Sequence, residues 1–475
     1  MKKQLVTLAC AVAVGASFVA AQAPNREEPP KLGPAPKLSL PSIEKHKLAN
    51  GLAVWLVESH EVPIAQVNLV VLAGSSEDPA GKYGVASLAA AMLDEGAGTR
   101  SSLEIADAVE FLGATLTTGS SFDSTAVRLN TPSARLADAL AIMADVSLRP
   151  TFPVADLERL RAERLTDLLQ AQDDPASVAS VAFAKLLFRT HRYGTGANGT
   201  ATSMKALTAD DLRAFHSTWF VPSSSALVVT GDVTSAGVLP LLEKAFGAWK
   251  GPAQKRVVPP AAPQVTSREI VIIDTPGAPQ SQIRIGRVGV SRSSGDYFPI
   301  QVLNTIFGGS FTSRLNQNLR EEHGYSYGAS SNFDMRLSPG PFVSGAGVQT
   351  DKTSEALREF FLEFNKIRQP VGRAELTKAV NYVALGFPGD FETASDISRK
   401  IEELVVYGLP DTWFARYMPA VRRVGSEEVV RAALTHLLPS RMLVVVVGDR
   451  KVIEPGIRDL TLAPIRHMSV AEVFE

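Results

Sequence analysis

A helix, a Pro-Ser turn, a buried strand and a Gly-Asp turn occur twice in this chain, and this recurrence constrains the fold more than any other feature. The first copy runs from Leu212-Arg213-Ala214 through Pro222-Ser223 into an apolar strand and then Gly231-Asp232. The second runs from Val430-Arg431-Ala432 through Pro439-Ser440 into another apolar strand and Gly448-Asp449. The proline and the Gly-Asp pair both recur 217 positions on (222 to 439, 232 to 449). Each copy closes a unit, so the chain reads as two related halves. At 475 residues it is too long for one ordinary core, and two units of about 200 residues each are expected.

Both halves mix strands whose alternate residues point inward with long helical patterns, which makes them α+β. In the first half Asn50-Gly51 signals a tight hairpin ahead of a buried strand, and a second strand follows at 65–73. Helical patterns cover 85–93, 103–112, 134–146 and 154–172, the last stopped by Pro175. The units are placed at 42–250 and 267–460, with a Pro-rich linker at 251–266 and a tail at 461–475.

Apolar residues make up 45% of the chain and charged residues 20%, the profile of a well-buried protein rather than a disordered one. A formal charge of −1 gives no sign of nucleic acid or an anionic membrane surface as a partner. Residues 1–21 start Met1-Lys2-Lys3, continue with an apolar run and end Val19-Ala20-Ala21, which reads as a secretory signal peptide. A Pro-rich tether follows at 22–41. The protein is therefore expected to be secreted across the inner membrane, into the periplasm. The single cysteine, Cys10, lies in this leader, where Thr7-Leu8-Ala9-Cys10 also allows a lipoprotein reading. Without Cys10 the mature chain has no thiol chemistry. No later segment reaches transmembrane length.

The seven histidines, His46, His60, His191, His216, His323, His436 and His467, are scattered along the chain. No two share the i, i+4 spacing of a helical metal site. Such a site needs two ligands one turn apart and a carboxylate to activate water.

Further motifs cover nearly all of residues 43–460. In the first half they are Asn50-Gly51-Leu52, the stretch 84–94, Leu112-Gly113-Ala114, Phe122-Asp123-Ser124-Thr125, Asp173-Asp174-Pro175 and His191-Arg192-Tyr193-Gly194. In the second half, Phe307-Gly308-Gly309-Ser310-Phe311 leads through Leu319-Arg320 to Gly324-Tyr325-Ser326-Tyr327-Gly328. In this order and spacing the chain resembles the pitrilysin/insulinase-like metallopeptidases, the inverzincins. The resemblance implies an α+β fold of two homologous half-domains, each a mostly antiparallel sheet backed by helices, which together form a clam-shell.

The family signature is H-x-x-E-H followed by a glutamate ligand on a second helix. Carried over by position, the metal ligands fall on Ser87, Ala91 and Asp167, the water-activating glutamate on Ala90, and a supporting glutamate on Leu160. One hydroxyl, methyl groups and a lone carboxylate grip zinc poorly, so no cofactor is expected on this chain. Read without the resemblance, Ser87, Ala90 and Ala91 are a plain helix of small residues and Asp167 is a solvated helix residue.

The family also brings an arginine and, seven positions on, a tyrosine to the substrate side of the zinc. Those positions match Arg320 and Tyr327, with Tyr325 the nearest rival for the tyrosine. A guanidinium can hold a peptide carbonyl, and a phenol can stabilise a developing oxyanion. The plainer alternative is that Arg320 caps a helix and Tyr327 packs at a strand start. Gly308, Gly309 and Ser310 are the expected substrate-binding stretch, since glycines let a backbone approach closely.

The resemblance thus implies a secreted, non-catalytic subunit of a zinc oligopeptidase or processing-type peptidase. Its partner is a paralogous H-x-x-E-H chain that carries the zinc, and Arg320 and Tyr327 act in trans. An unfolded peptide is taken as an added strand on a sheet edge near 113–121. Activity of the chain alone stays open. The alternative is a non-proteolytic scaffold or peptide-binding protein of the same fold. No G-x-S-x-G nucleophile motif points to other hydrolytic chemistry.

Overall fold

The computed structural model describes residues 42–475. The expected leader, Cys10 and the tether at 22–41 lie outside the described residues.

The first half contains strands β1 (Glu44–Lys47), β2 (Ala53–Glu58) and β3 (Ile64–Val71), then helices α1 (Val85–Ala91) and α2 (Ser102–Phe111). Next come β4 (Thr115–Ser120), β5 (Thr125–Pro132), α3 (Leu136–Leu148), α4 (Val154–Asp173), α5 (Pro175–Phe188), α6 (Ala209–Trp219), β6 (Ser225–Gly231) and α7 (Ser235–Phe246). Residues 251–266 carry no helix or strand.

The second half opens with β7 (Glu269–Asp274), β8 (Gln280–Val288), α8 (Tyr297–Phe307), β9 (Ser326–Phe333) and β10 (Pro341–Gln349). It continues with α9 (Thr353–Lys366), α10 (Arg373–Gly386), α11 (Ala394–Tyr407), α12 (Ser426–His436), β11 (Leu443–Gly448) and α13 (Arg450–Asp459). It ends with β12 (Ile465–Met468) and the short α14 (Val470–Phe474).

Two six-stranded sheets result, ordered β1-β2-β6-β3-β5-β4 and β12-β7-β11-β8-β10-β9. Both are mostly antiparallel; only β2 with β6, and β7 with β11 and β12, run parallel. Corresponding strands start 216 residues apart (53 to 269, 64 to 280). The repeat seen in the sequence centres on β6 and β11, which are buried along their whole length. Strands covered on both faces read as continuous apolar runs rather than alternating ones.

One edge of each sheet is made differently. In the first sheet β1 folds back on β2 as a hairpin, through a turn in which Gly51 takes φ +88°. In the second, the matching place is filled by β12, parallel to β7. The residues set aside as a tail are therefore built into the fold. Beyond β12, Lys185 Nζ on α5 donates to Glu472 O at 2.6 Å and fastens α14 to the first half.

The halves also exchange helices. The turn Asp174-Pro175 ends α4 and starts α5: Pro175 needs no hydrogen-bond partner there, and Asp174 accepts from the Ala176 and Ser177 amides at 3.3 and 3.0 Å. Redirected in this way, α5 lays Val178, Ala182 and Phe183 on the second sheet, against Val271, Ile273, Val445 and Val447. In return α11 lays Ile397, Ile401 and Leu404 on the first sheet, against Val57, Val70 and Val228. Each fully buried side chain of this kind contributes about 1.5–3 kcal/mol, so neither sheet is covered by its own half alone.

Candidate functional site

The start of α1 is pinned from several sides. Gly84 takes φ +93°, and a Cβ there would stand 2.6 Å from Asn198 O. The Asp78 carboxylate accepts from Gly84 N at 2.7 Å and Ala86 N at 3.0 Å, and it pairs with Arg192 at 2.6 Å. These bonds satisfy amides that a helix start leaves open, and an anion suits its positive end. α1 packs against β4, the free edge strand that lies within the expected 113–121 segment.

Five side chains stand where the family's ligands and glutamates would fall. Ser87 Oγ donates to Asn198 Oδ1 at 2.7 Å. Ala90 is 1% exposed and Ala91 half-buried. On the facing helix α4, Leu160 packs against the first core and Asp167 is exposed to solvent. Between the two helices stands Arg164, which sequence reasoning missed. Its Nη2 donates to Ser87 O at 3.0 Å, and its Nη1 is buried without a hydrogen-bond partner. Burial pulls this guanidinium below the usual arginine value, while the Asp167 carboxylate acts the other way. An arginine stays charged in either case.

These residues do not fit zinc. The one hydroxyl is engaged with Asn198, the methyls offer no lone pair, and a fixed cation lies beside them. Among the described residues no three His, Cys, Asp or Glu side chains come together as a metal site. A signal for Arg164 was available: it lies four residues after Leu160 and three before Asp167, on one helical face.

The second-half segment is intact and differently organised. A Cβ on Gly308 would meet Ser331 N at 2.5 Å, and one on Gly309 would meet Asn304 O at 2.9 Å. The close approach that these glycines allow is made by the chain's own β9 and α8. Ser310 Oγ donates to Thr305 O at 3.0 Å, beside a groove of about 490 Å³ lined by Thr312, Gln317, Lys378 and Tyr382.

From Arg314–Asn316 the chain widens into a π-helical turn, Gln317–Glu322. Such turns are rare and recur at functional sites. Arg320 sits on it, with its guanidinium 4.7 Å from the centre of the Phe311 ring and its side chain 38% exposed. Tyr327 enters β9 at a register shift between Ser326 and Ala329 and is 90% exposed. Asn316 ties the two segments together, donating to Phe311 O at 2.7 Å and accepting from Ala329 N at 3.2 Å. Tyr325, by contrast, stacks on His323 at 4.9 Å and packs against the second core.

Residues 53–201 match the family model described as Insulinase (Peptidase family M16), and residues 206–383 match the Peptidase M16 inactive domain. The chain is 25% identical over 426 residues to an uncharacterised zinc protease of Mycobacterium tuberculosis, covering 88% of this chain and 96% of that one. A zinc protease of Streptomyces coelicolor is 24% identical over 322 residues, covering 67% and 70%. The crystal structure of a peptidase M16 inactive domain from Pseudomonas fluorescens matches with a TM-score of 0.81 at 27% identity, over 86% of this chain and 98% of that one. A chain of complex III from Candida albicans shares the fold, with a TM-score of 0.73 at 14% identity over 90% and 100%. The chain belongs to the insulinase-like M16 peptidase family and lacks that family's catalytic zinc motif.

Proposed function

We propose that this protein is the zinc-free member of a secreted peptidase pair. The observation that carries the reading is the asymmetry between its halves. Where the family has metal ligands, Ser87, Ala90, Ala91 and Arg164 offer no site. Where the family has its substrate-side pair, Tyr327 is 90% exposed and Arg320 stands on a π-helical turn. The partner is a paralogous chain with H-x-x-E-H and its zinc. In the assembled pair Arg320 holds the carbonyl of an unfolded peptide and Tyr327 stabilises the oxyanion. The pair works in the periplasm, a reading that rests on residues 1–21.

The test mixes this protein with a paralogous chain that carries H-x-x-E-H. The mixture cleaves unfolded peptide and the protein alone does not. Arg320→Ala lowers kcat/KM of the mixture about 10²–10³-fold, the scale for losing one transition-state donor. Unchanged activity of that mixture sinks the reading.

A peptide-binding or scaffold role is the second reading, favoured by the free edges β4 and β9. Such edges can take an added strand without any chemistry. In that case the partner's activity is indifferent to Arg320.

A further inference from the structure

A metal ion that joins two helices supplies both a positive charge and a mechanical tie. In this chain a side chain lies between the same two helices. Arg164 projects from the face of α4 that also carries Leu160 and Asp167, and it reaches α1 at the backbone oxygen of Ser87, 3.0 Å away. Ser87 is the residue on which the first ligand position falls. Its hydroxyl is turned to Asn198, 2.7 Å away, in the loop that also packs against Gly84. The second guanidinium nitrogen is buried and has no acceptor. Ordinary helix packing does not favour that arrangement, because a buried donor without a partner is costly. A divalent ion placed beside it would meet a fixed positive charge in a partly buried setting, where screening by water is weak.

We propose that Arg164 is a tethered substitute for the metal: it ties α1 to α4 without an ion and bars a divalent cation from the place between them. This rests on reading Ser87, Ala91 and Asp167 as ligand positions, and it is independent of whether Arg320 and Tyr327 act in trans. The fold of the first half therefore needs no metal. Restoring the family's donors does not by itself restore a metal site.

Two variants of the full chain test this. One carries Ser87→His, Ala90→Glu, Ala91→His and Asp167→Glu with Arg164 kept, and the other adds Arg164→Ala. Both are checked for folding by circular dichroism, incubated with zinc, dialysed and measured for bound metal by mass spectrometry. The expected result is near one zinc per chain in the second variant and a small fraction of that in the first. Full loading of the first overturns the proposal. So does failure of both to bind while folded, since something other than the guanidinium then bars the ion.

The tie is read separately by amide hydrogen exchange over residues 85–91. Arg164→Ala in the otherwise native chain speeds exchange there, and a chelator leaves the native protein unchanged. Native exchange rates in Arg164→Ala, or acceleration by the chelator, overturn the tie. The activity of a mixture with a zinc-bearing partner answers the other question, so the two readings fail separately.

Discussion

Glu402 and Arg128 stand on opposite halves of the chain and meet through two hydrogen bonds, Nε to Oε1 at 3.0 Å and Nη2 to Oε2 at 2.7 Å. The same carboxylate accepts from Asn68 Nδ2 at 2.5 Å, and Gln66 and Asn130 extend the network along the sheet. Helix α11 thus delivers an anion to a polar stripe on the first sheet as well as an apolar face.

Glu402→Ala leaves Arg128 and Asn68 without their acceptor. Because the Arg128 side chain is 35% exposed, water recovers part of the loss. The expected destabilisation is about 2 kcal/mol, below the cost of breaking a fully buried pair. Urea unfolding checks this, and a loss under about 0.5 kcal/mol, the range of ordinary surface changes, contradicts it.

A fragment of residues 42–250 lacks α11, so Val57, Val70 and Val228 lose their cover. It also retains α5 without the sheet that α5 packs on. This fragment is expected to bind hydrophobic dyes and unfold without a sharp transition. A cooperative, dye-free fragment would show that the helix exchange is not needed for folding.

The loop between β4 and β5 meets the loop between β9 and β10 at Asp123, which is 3% exposed and accepts from Leu337 N at 3.0 Å while its other oxygen has no partner. Burial raises its carboxyl above the usual range, although Arg256 and Arg336 pull the other way. A raised value means that the folded state holds this proton more tightly than the unfolded state does. The contribution of Asp123 is then complete below about pH 4, the ordinary aspartate value, and is lost as pH rises through its raised value. Asp123→Asn should remove that loss. Unfolding free energies measured against pH for both proteins give the check; parallel curves from pH 4 upward would contradict it.

Tyr327→Phe should leave stability within about 0.5 kcal/mol, as for other exposed positions away from caps and cores, because Tyr327 is 90% exposed. The same change should lower kcat of the mixture with a zinc-bearing partner more than it alters KM. A drop in melting temperature with unchanged kcat would make Tyr327 a structural residue instead.

Much of the architecture was legible because it follows local rules. Continuous apolar runs with Pro-Ser and Gly-Asp punctuation marked β6 and β11, and Asp174-Pro175 marked the end of α4, though not the helix α5 that starts there. The exchange of α5 and α11 was not legible, since an amphipathic helix declares an apolar face but not which sheet will cover it. Nor was β12: Ile465-Arg466-His467-Met468 is short and polar, and an edge strand needs only its backbone to pair. At the site, once the family resemblance had placed two ligands on Ser87 and Ala91 and the water-activating glutamate on Ala90, residue chemistry was enough to show that these donors are missing. Arg164 was legible only as a neighbour of Leu160 and Asp167 on one helical face; its reach across to Ser87 O was not, because that depends on where a long side chain meets another helix. Gly308 and Gly309 carried an ambiguous signal: a close approach was legible, but not that Ser331 and Asn304 of the same chain make it.

Whether the first half lacks a zinc site is decided by the metal content of the purified, folded native protein after dialysis against buffer containing zinc. The folded protein is expected to hold far less than one zinc per chain and to keep its melting temperature in the presence of a chelator. One tightly held zinc per chain, lost on chelation together with stability, would contradict this.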